Sequence, residues 1–215
     1  MRSLGYSLLT LACLVVCGCQ QGANKGEPAK DGKVDQKSSA PAFTPIPLAA
    51  APAGAFVFSD EGSKIEFTGT KKEGKHDGGF KHFLGAVDMP AGDLLDAKIT
   101  VEIDIGSLYS DDSKLTGHLL GADFFNAKEH PKASFVSTRI LGLIGKDTTH
   151  TIDGDLTLHG VKKSISLPAK ILATATEVTL TSEFPISRGE FGMDYGKDKI
   201  DDAVTIRLDL RAKKK

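Results

Sequence analysis

The residues that could do chemistry in this 215-residue chain are few and scattered. Its six histidines, His76, His82, His118, His130, His150 and His159, show no i, i+4 or similarly tight spacing of the kind a metal site uses. His159 falls on the wet face of an alternating run, which suits a surface or turn role. His82 shares parity with Phe80 and is the histidine to watch, although a buried, hydrogen-bonded histidine is favoured over a ligand there. Arg188 precedes Phe191-Gly192. Its guanidinium fork could hold an anionic head group, or it could clamp a loop through backbone carbonyls, and the second is favoured. Asp153 with Asp155, and Asp201 with Asp202, are close acid pairs, but the first pair lies on a predicted solvent face. No nucleophile–base constellation, phosphate loop or metal cluster stands out. The expectation is therefore a protein that is not an enzyme and that has no cofactor.

The cysteines point elsewhere. All three, Cys13, Cys17 and Cys19, fall in the first 19 residues. Met1-Arg2 is a short positive start. Leu8, Leu9, Leu11, Ala12, Leu14, Val15 and Val16 then form an apolar stretch too short to span a membrane comfortably, which is the build of a secretory signal. Val16-Cys17-Gly18-Cys19 resembles a bacterial lipobox. The resemblance implies cleavage after residue 18, acylation of Cys19 and, with Gln20 rather than Asp next, the outer membrane facing the periplasm. Residues 19–53 are rich in Ala, Pro, Gly, Lys, Asp and Ser and have no period, so they read as a disordered tether. A net charge of -1 gives no electrostatic footing for nucleic acid.

What must position any site is a series of alternating strands. Ile152, Leu156 and Leu158 share one parity, with Gly154 between them, and Thr151, Asp153, Asp155, Thr157 and His159 share the other. That period of two marks a strand with one buried face. Gly160 ends it, Lys162-Lys163 fall at a predicted turn, and Ile165, Leu167 and Ala169 alternate in the next run, completing a hairpin. Similar runs occur at 56–59, 63–70, 79–88, 97–104, 134–141, 177–184 and 204–211. Residues 71–79 read as a polar, Gly-rich loop. Phe80 and Phe83 are three apart, which predicts a bulge between them. Residues 107–127 do not alternate, and Asp112 or Ser113 could cap a short helix over about 112–121 that places Leu115 and Leu119 on one face. About eight or nine strands suit a closed barrel or a sandwich, and closure removes exposed edges. Periodicity does not say whether such a barrel is hollow.

Several stretches resemble the YceI-like family of bacterial extracytoplasmic, lipocalin-like domains. They are Gly78-Gly-Phe-Lys-His-Phe-Leu-Gly85, Ile103-Asp-Ile-Gly-Ser-Leu108, Asp123-Phe-Phe-Asn126 and His130-Pro-Lys-Ala-Ser-Phe-Val-Ser137. Gly154-Asp-Leu-Thr-Leu-His-Gly-Val-Lys-Lys163 and Ile186-Ser-Arg-Gly-Glu-Phe-Gly-Met193 complete the set. The resemblance implies an all-β domain over residues 54–215, a closed eight-stranded antiparallel barrel with one short helical excursion. It also implies binding of a polyisoprenoid or a similar amphiphile, such as an isoprenoid quinone, inside the barrel. The alternative is a structural or interaction module with a filled core. Candidate lining residues are Phe67, Phe80, Phe83 and Ile103 in the first half of the barrel. Leu119, Phe124 and Phe125 come from the helical excursion, and Phe135, Leu156, Leu158, Phe184 and Phe191 from the second half. His82 and Arg188 are the head-group candidates.

Overall fold

The structure is a computed structural model that describes residues 51–90, 92–143 and 149–215. The expected signal segment, Cys19 and all but the end of the tether lie outside the described residues. Among the described residues, eleven strands form one antiparallel sheet: β1 (Phe56–Ser59), β2 (Lys64–Lys71), β3 (Gly74–Phe80), β4 (Phe83–Asp88), β5 (Lys98–Asp104), β6 (Leu108–Ser110), β7 (Lys132–Gly142), β8 (His150–Leu158), β9 (Val161–Ala173), β10 (Glu177–Ser187) and β11 (Ile200–Lys214). They reduce to eight staves. β1 and β2 run one after the other along β11, with Val57 opposite Lys213 and Lys64 opposite Asp209. β4 and β3 pair with β1 and β2 in turn, and β5 and β6 pair with β4 and β3. The first three staves are each broken once, the other five are continuous, and the pairing of β11 with β1 and β2 closes the ring.

Local chemistry explains the breaks. Between β5 and β6, Asp104 accepts from the Gly106 amide at 2.9 Å, and the Ser107 hydroxyl donates to the Asp104 carbonyl at 2.6 Å. This folds Ile105–Ser107 into one 3₁₀ turn. Ser107 Oγ also accepts from the His82 amide at 3.0 Å, and its carbonyl accepts from Lys81 at 3.2 Å, so the β3–β4 break is tied to it. The expected irregularity between Phe80 and Phe83 is this break. The β8–β9 turn is made by His159 and Gly160, both at positive φ (52° and 73°), the backbone twist favoured in a two-residue hairpin. Lys162 and Lys163 already lie in β9, which corrects the turn expected there.

Two further expectations change. Residues 74–78, expected in a loop, belong to strand β3. The polar, glycine-rich composition hid it, because Gly78 is bare for a steric reason: a Cβ there would stand 2.4 Å from the Tyr109 carbonyl and 2.5 Å from the Phe67 ring. The last strand also begins at Ile200, ahead of its clean alternation. The short helix α1 (Ser113–Leu119) is capped by Asp112, which accepts from the Leu115 amide at 2.8 Å. Inside the ring, one end is filled. Phe56, Phe58, Val87, Ile99, Ile152, Ala169, Val178 and Ala212 are all buried there and form a solid floor.

Candidate functional site

Above that floor the barrel is hollow. Ile103, Phe135, Leu156, Ile165, Ile186, Val204, Ile206 and Leu208 keep some exposure although they pack against buried core side chains. They help to enclose a cavity of about 190 Å³. Filled interiors leave few voids larger than a water molecule, so this space is a built feature. Its exposed wall is apolar: Arg188 is the one charged residue bordering it among the described residues, and it turns no polar atom to the space. Phe67, Phe80 and Phe125 form an aromatic chain across it, with ring centroids 6.0 and 6.1 Å apart and the second pair edge to face.

The open end of the barrel is covered. Leu119 from α1, followed by Phe124 and Phe125, meets Met193 from the segment before β11 and Ile200, the first residue of β11, over the hollow. Outside them the His118 ring packs edge-on against Phe124 and Tyr195, at 5.0 and 4.9 Å, and its Nε2 is 2.9 Å from Asp123. Arg188 fastens this cover. Its guanidinium donates to the carbonyls of Met193 (2.6 Å), Tyr195 (2.8 Å), Ile200 (3.1 Å) and Asp201 (3.0 Å). The side chain is buried, and a buried charge persists where its donors are satisfied. Asp202, next to this clamp, accepts from Ser187 and from the Gly189 amide, and these bonds hold its carboxyl below the usual carboxylate range.

Most of the expected lining residues meet here. Phe67, Phe80, Ile103, Leu119, Phe124, Phe125, Phe135, Leu156, Leu158 and Phe184 all border the cavity. Phe83 does not. It faces inward opposite Ile103 but is buried among the core side chains without reaching the hollow. Phe191 is fully buried beside the rim with Ile105, Ala133, Leu158 and Met193, away from the hollow. The head-group candidates also move. His82 lies outside the barrel at the β3–β4 break, more than half exposed, with Asp60 3.6 Å from its Nδ1. Arg188 borders the cavity but spends its donors on backbone carbonyls, so it is a clamp and not an anion site. His159 is the turn residue its parity indicated. Its Nδ1 lies 2.8 Å from the Phe191 carbonyl, and its ring packs against His130. Asp153 and Asp155 face outward to Arg139 and Lys162, at 2.6 and 2.8 Å. Ile165, Leu167, Ile186, Val204 and Leu208 border the hollow as well, and the parity of their strands already places them inside. Met193 and Ile200 carry no such signal, because they sit in non-alternating chain.

A family model described as YceI-like domain matches residues 56–212. A UPF0312 protein of Pseudomonas putida is 36% identical over 92 residues, which cover 43% of this chain and 47% of that protein. A UPF0312 protein of Photorhabdus laumondii is 33% identical over 95 residues, 44% of this chain and 48% of the relative. The matched part thus spans about half the length of these curated relatives. Among solved structures, BcnA of Burkholderia cenocepacia superposes with a TM-score of 0.65 at 24% identity, over 72% of this chain and 99% of that one. A polyisoprenoid binding domain from Saccharophagus degradans superposes with a TM-score of 0.59 at 16% identity, over 76% and 100%. At these identities the structural likeness carries the fold.

Proposed function

Because this chain belongs to the YceI-like domain family, we propose that its barrel binds the apolar chain of a polyisoprenoid or similar amphiphile, such as an isoprenoid quinone. Its role is carriage, storage or sequestration, and it is not catalytic. The observation that carries this reading is the wholly apolar hollow above a solid floor. A barrel needed only as a scaffold gains from filling that space, since each unfilled void forfeits dispersion contacts. The similarity to a polyisoprenoid binding domain supports the same reading.

The size of the hollow sets what it holds. An engineered apolar cavity of about 150 Å³ takes benzene, so by proportion this one takes on the order of eight carbon atoms. At about 0.8 kcal/mol per buried methylene, that yields roughly 6 kcal/mol, close to the lower end of the ~4–15 kcal/mol cost of association. The hollow therefore holds one segment of a chain, and stable binding needs more chain than it encloses. The test is organic extraction and native mass spectrometry of the purified full chain. A co-purified or added isoprenoid quinone held at one per protein is the expected result. No apolar molecule bound, and no uptake on addition, would refute it.

The proposal extends to location. Acylation of Cys19 would anchor the protein to the envelope, in the outer membrane facing the periplasm, with residues 19–53 as the tether. The order of apolar stretch, lipobox-like segment and Pro-rich spacer supports this.

A further inference from the structure

The ring of strands is closed, but one of its seams is not zipped. β9 and β10 pair only near their shared turn, from Val178 opposite Ala173 to Thr181 opposite Lys170. Beyond that point β9 pairs with β8 as far as Val161, and β10 pairs with β11 as far as Ser187. Among the described residues, the one hydrogen bond that still links the two strands there is from the Ser182 hydroxyl to the Pro168 carbonyl, at 2.5 Å.

Proline placement accounts for the gap. In β9 the odd-numbered residues turn their backbone groups toward β8: Thr149 donates to the Ala169 carbonyl, and its hydroxyl accepts from the Ile171 amide. The even-numbered residues therefore face β10, and Pro168 is one of them. In β10 the odd-numbered residues face β9, as the Glu177 carbonyl does in accepting from Thr174. Pro185 is odd. Continuing the observed register would pair Pro168 with Glu183 and Ser166 with Pro185. Each of these hydrogen-bonded pairs lacks one donor, because proline has no N–H. Neither proline costs its strand a bond on the opposite side. Ile165 and Leu167 on one edge of the gap, and Phe184 and Ile186 on the other, all border the hollow.

We infer that this seam is a lateral portal, through which the chain of a linear amphiphile enters the barrel and past which the rest of that chain and its head remain outside. The inference rests on the binding role proposed above. Two features of the molecule favour the side over the end. The cover over the mouth is fixed by the four carbonyl bonds of Arg188, and the opposite end is solid. The hollow is also too short for a long chain, so a bound chain needs an exit, and the unzipped seam is an apolar one.

The test is a reversible staple. Ser166→Cys/Pro185→Cys is made in the full chain with Cys13, Cys17 and Cys19 changed to Ser, and both seam positions face outward and are exposed. A second pair, His118→Cys/Tyr195→Cys, staples the mouth cover. Uptake of cis-parinaric acid, a fluorescent polyene carboxylate, is followed by stopped flow. The oxidised seam staple is expected to slow uptake at least tenfold, reduction to restore it, and the mouth staple to slow it less. Equal slowing by both staples, stronger slowing at the mouth, or no slowing at the seam would overturn the portal. Where the seam pair does not oxidise, Pro168→Thr/Pro185→Thr returns both missing donors and is expected to slow uptake in the same sense; unchanged uptake would overturn the portal. Failure of the unstapled protein to bind the probe at equilibrium would instead remove the binding role itself.

Discussion

At the scale of single residues, the polar side chains with motif-like spacing serve the architecture. Arg188 ties together four carbonyls of the cover, and Ser107 and Asp104 shape the break of the third stave. Arg188→Lys keeps the charge but not the planar fork. It is expected to destabilise the protein by about 2–4 kcal/mol, more than a single charge-assisted bond of ~1.5–3 kcal/mol would suggest at its low end, read from chemical denaturation midpoints. His82→Ala, by contrast, lies within the ~0.5 kcal/mol scatter of surface changes. The titrating groups set an acid limit. Hydrogen bonds hold Asp77 (from Thr68), Asp111 (from His76), Asp153 (from Ser166), Asp155 (from Lys162) and Asp202 (from Ser187) below their ordinary range, while burial lowers His150. A carboxylate whose folded pKa is depressed adds stability above its unfolded value, and that stability is lost as pH falls through the folded value. A histidine kept neutral by burial likewise costs stability once the unfolded chain takes up protons below about pH 6.5. Thermal midpoints should therefore ease downward below about pH 6.5 and drop more steeply below about pH 4.

At the scale of elements, the same alternation builds a floor and a hollow, and the two halves should respond oppositely to volume. Ile152→Ala removes a fully buried side chain from the level where the floor meets the hollow. It is expected to cost about 2–5 kcal/mol, the range for such truncations. Val204→Phe adds volume at a partly exposed wall position. It is expected to stay below the ~1–3 kcal/mol of ordinary overpacking while cutting probe binding severalfold. Paired urea melts and fluorescence titrations separate the two effects. Equal destabilisation by both variants would mean that the wall is as tightly filled as the floor.

At the scale of the whole molecule, the barrel solves an edge problem and reopens it in one place. Closing β11 onto β1 and β2 removes the edges that an open sheet exposes. The β9–β10 seam restores two short edges, and each carries a proline, a common guard of natural edges. Attachment acts at this scale too. Cys19→Ser is expected to move the protein from the membrane fraction to the soluble fraction and to abolish metabolic labelling with palmitate, with the fold unaltered by circular dichroism. Palmitate incorporation into the variant would refute acylation at that residue.

Alternation was legible in the chain because a half-buried strand must place apolar groups at every second residue. It located β5, β8, β10 and most of β11, and through them most of the cavity wall. The cap was legible to within one residue, since Asp112 and Ser113 both offer an oxygen ahead of the helical spacing, and the fold uses Asp112. Residues 74–78 escaped because Gly78 owes its identity to the Phe67 ring across the sheet, a contact that no local pattern encodes. Phe83 does face inward beside Ile103 but is packed over by its neighbours, and Phe191, at the end of a 3₁₀ turn, is buried beside the rim, so neither reaches the hollow. Whether the barrel is hollow depends on how side chains from eight staves meet at its axis. That sum of volumes is defined only once the ring has closed.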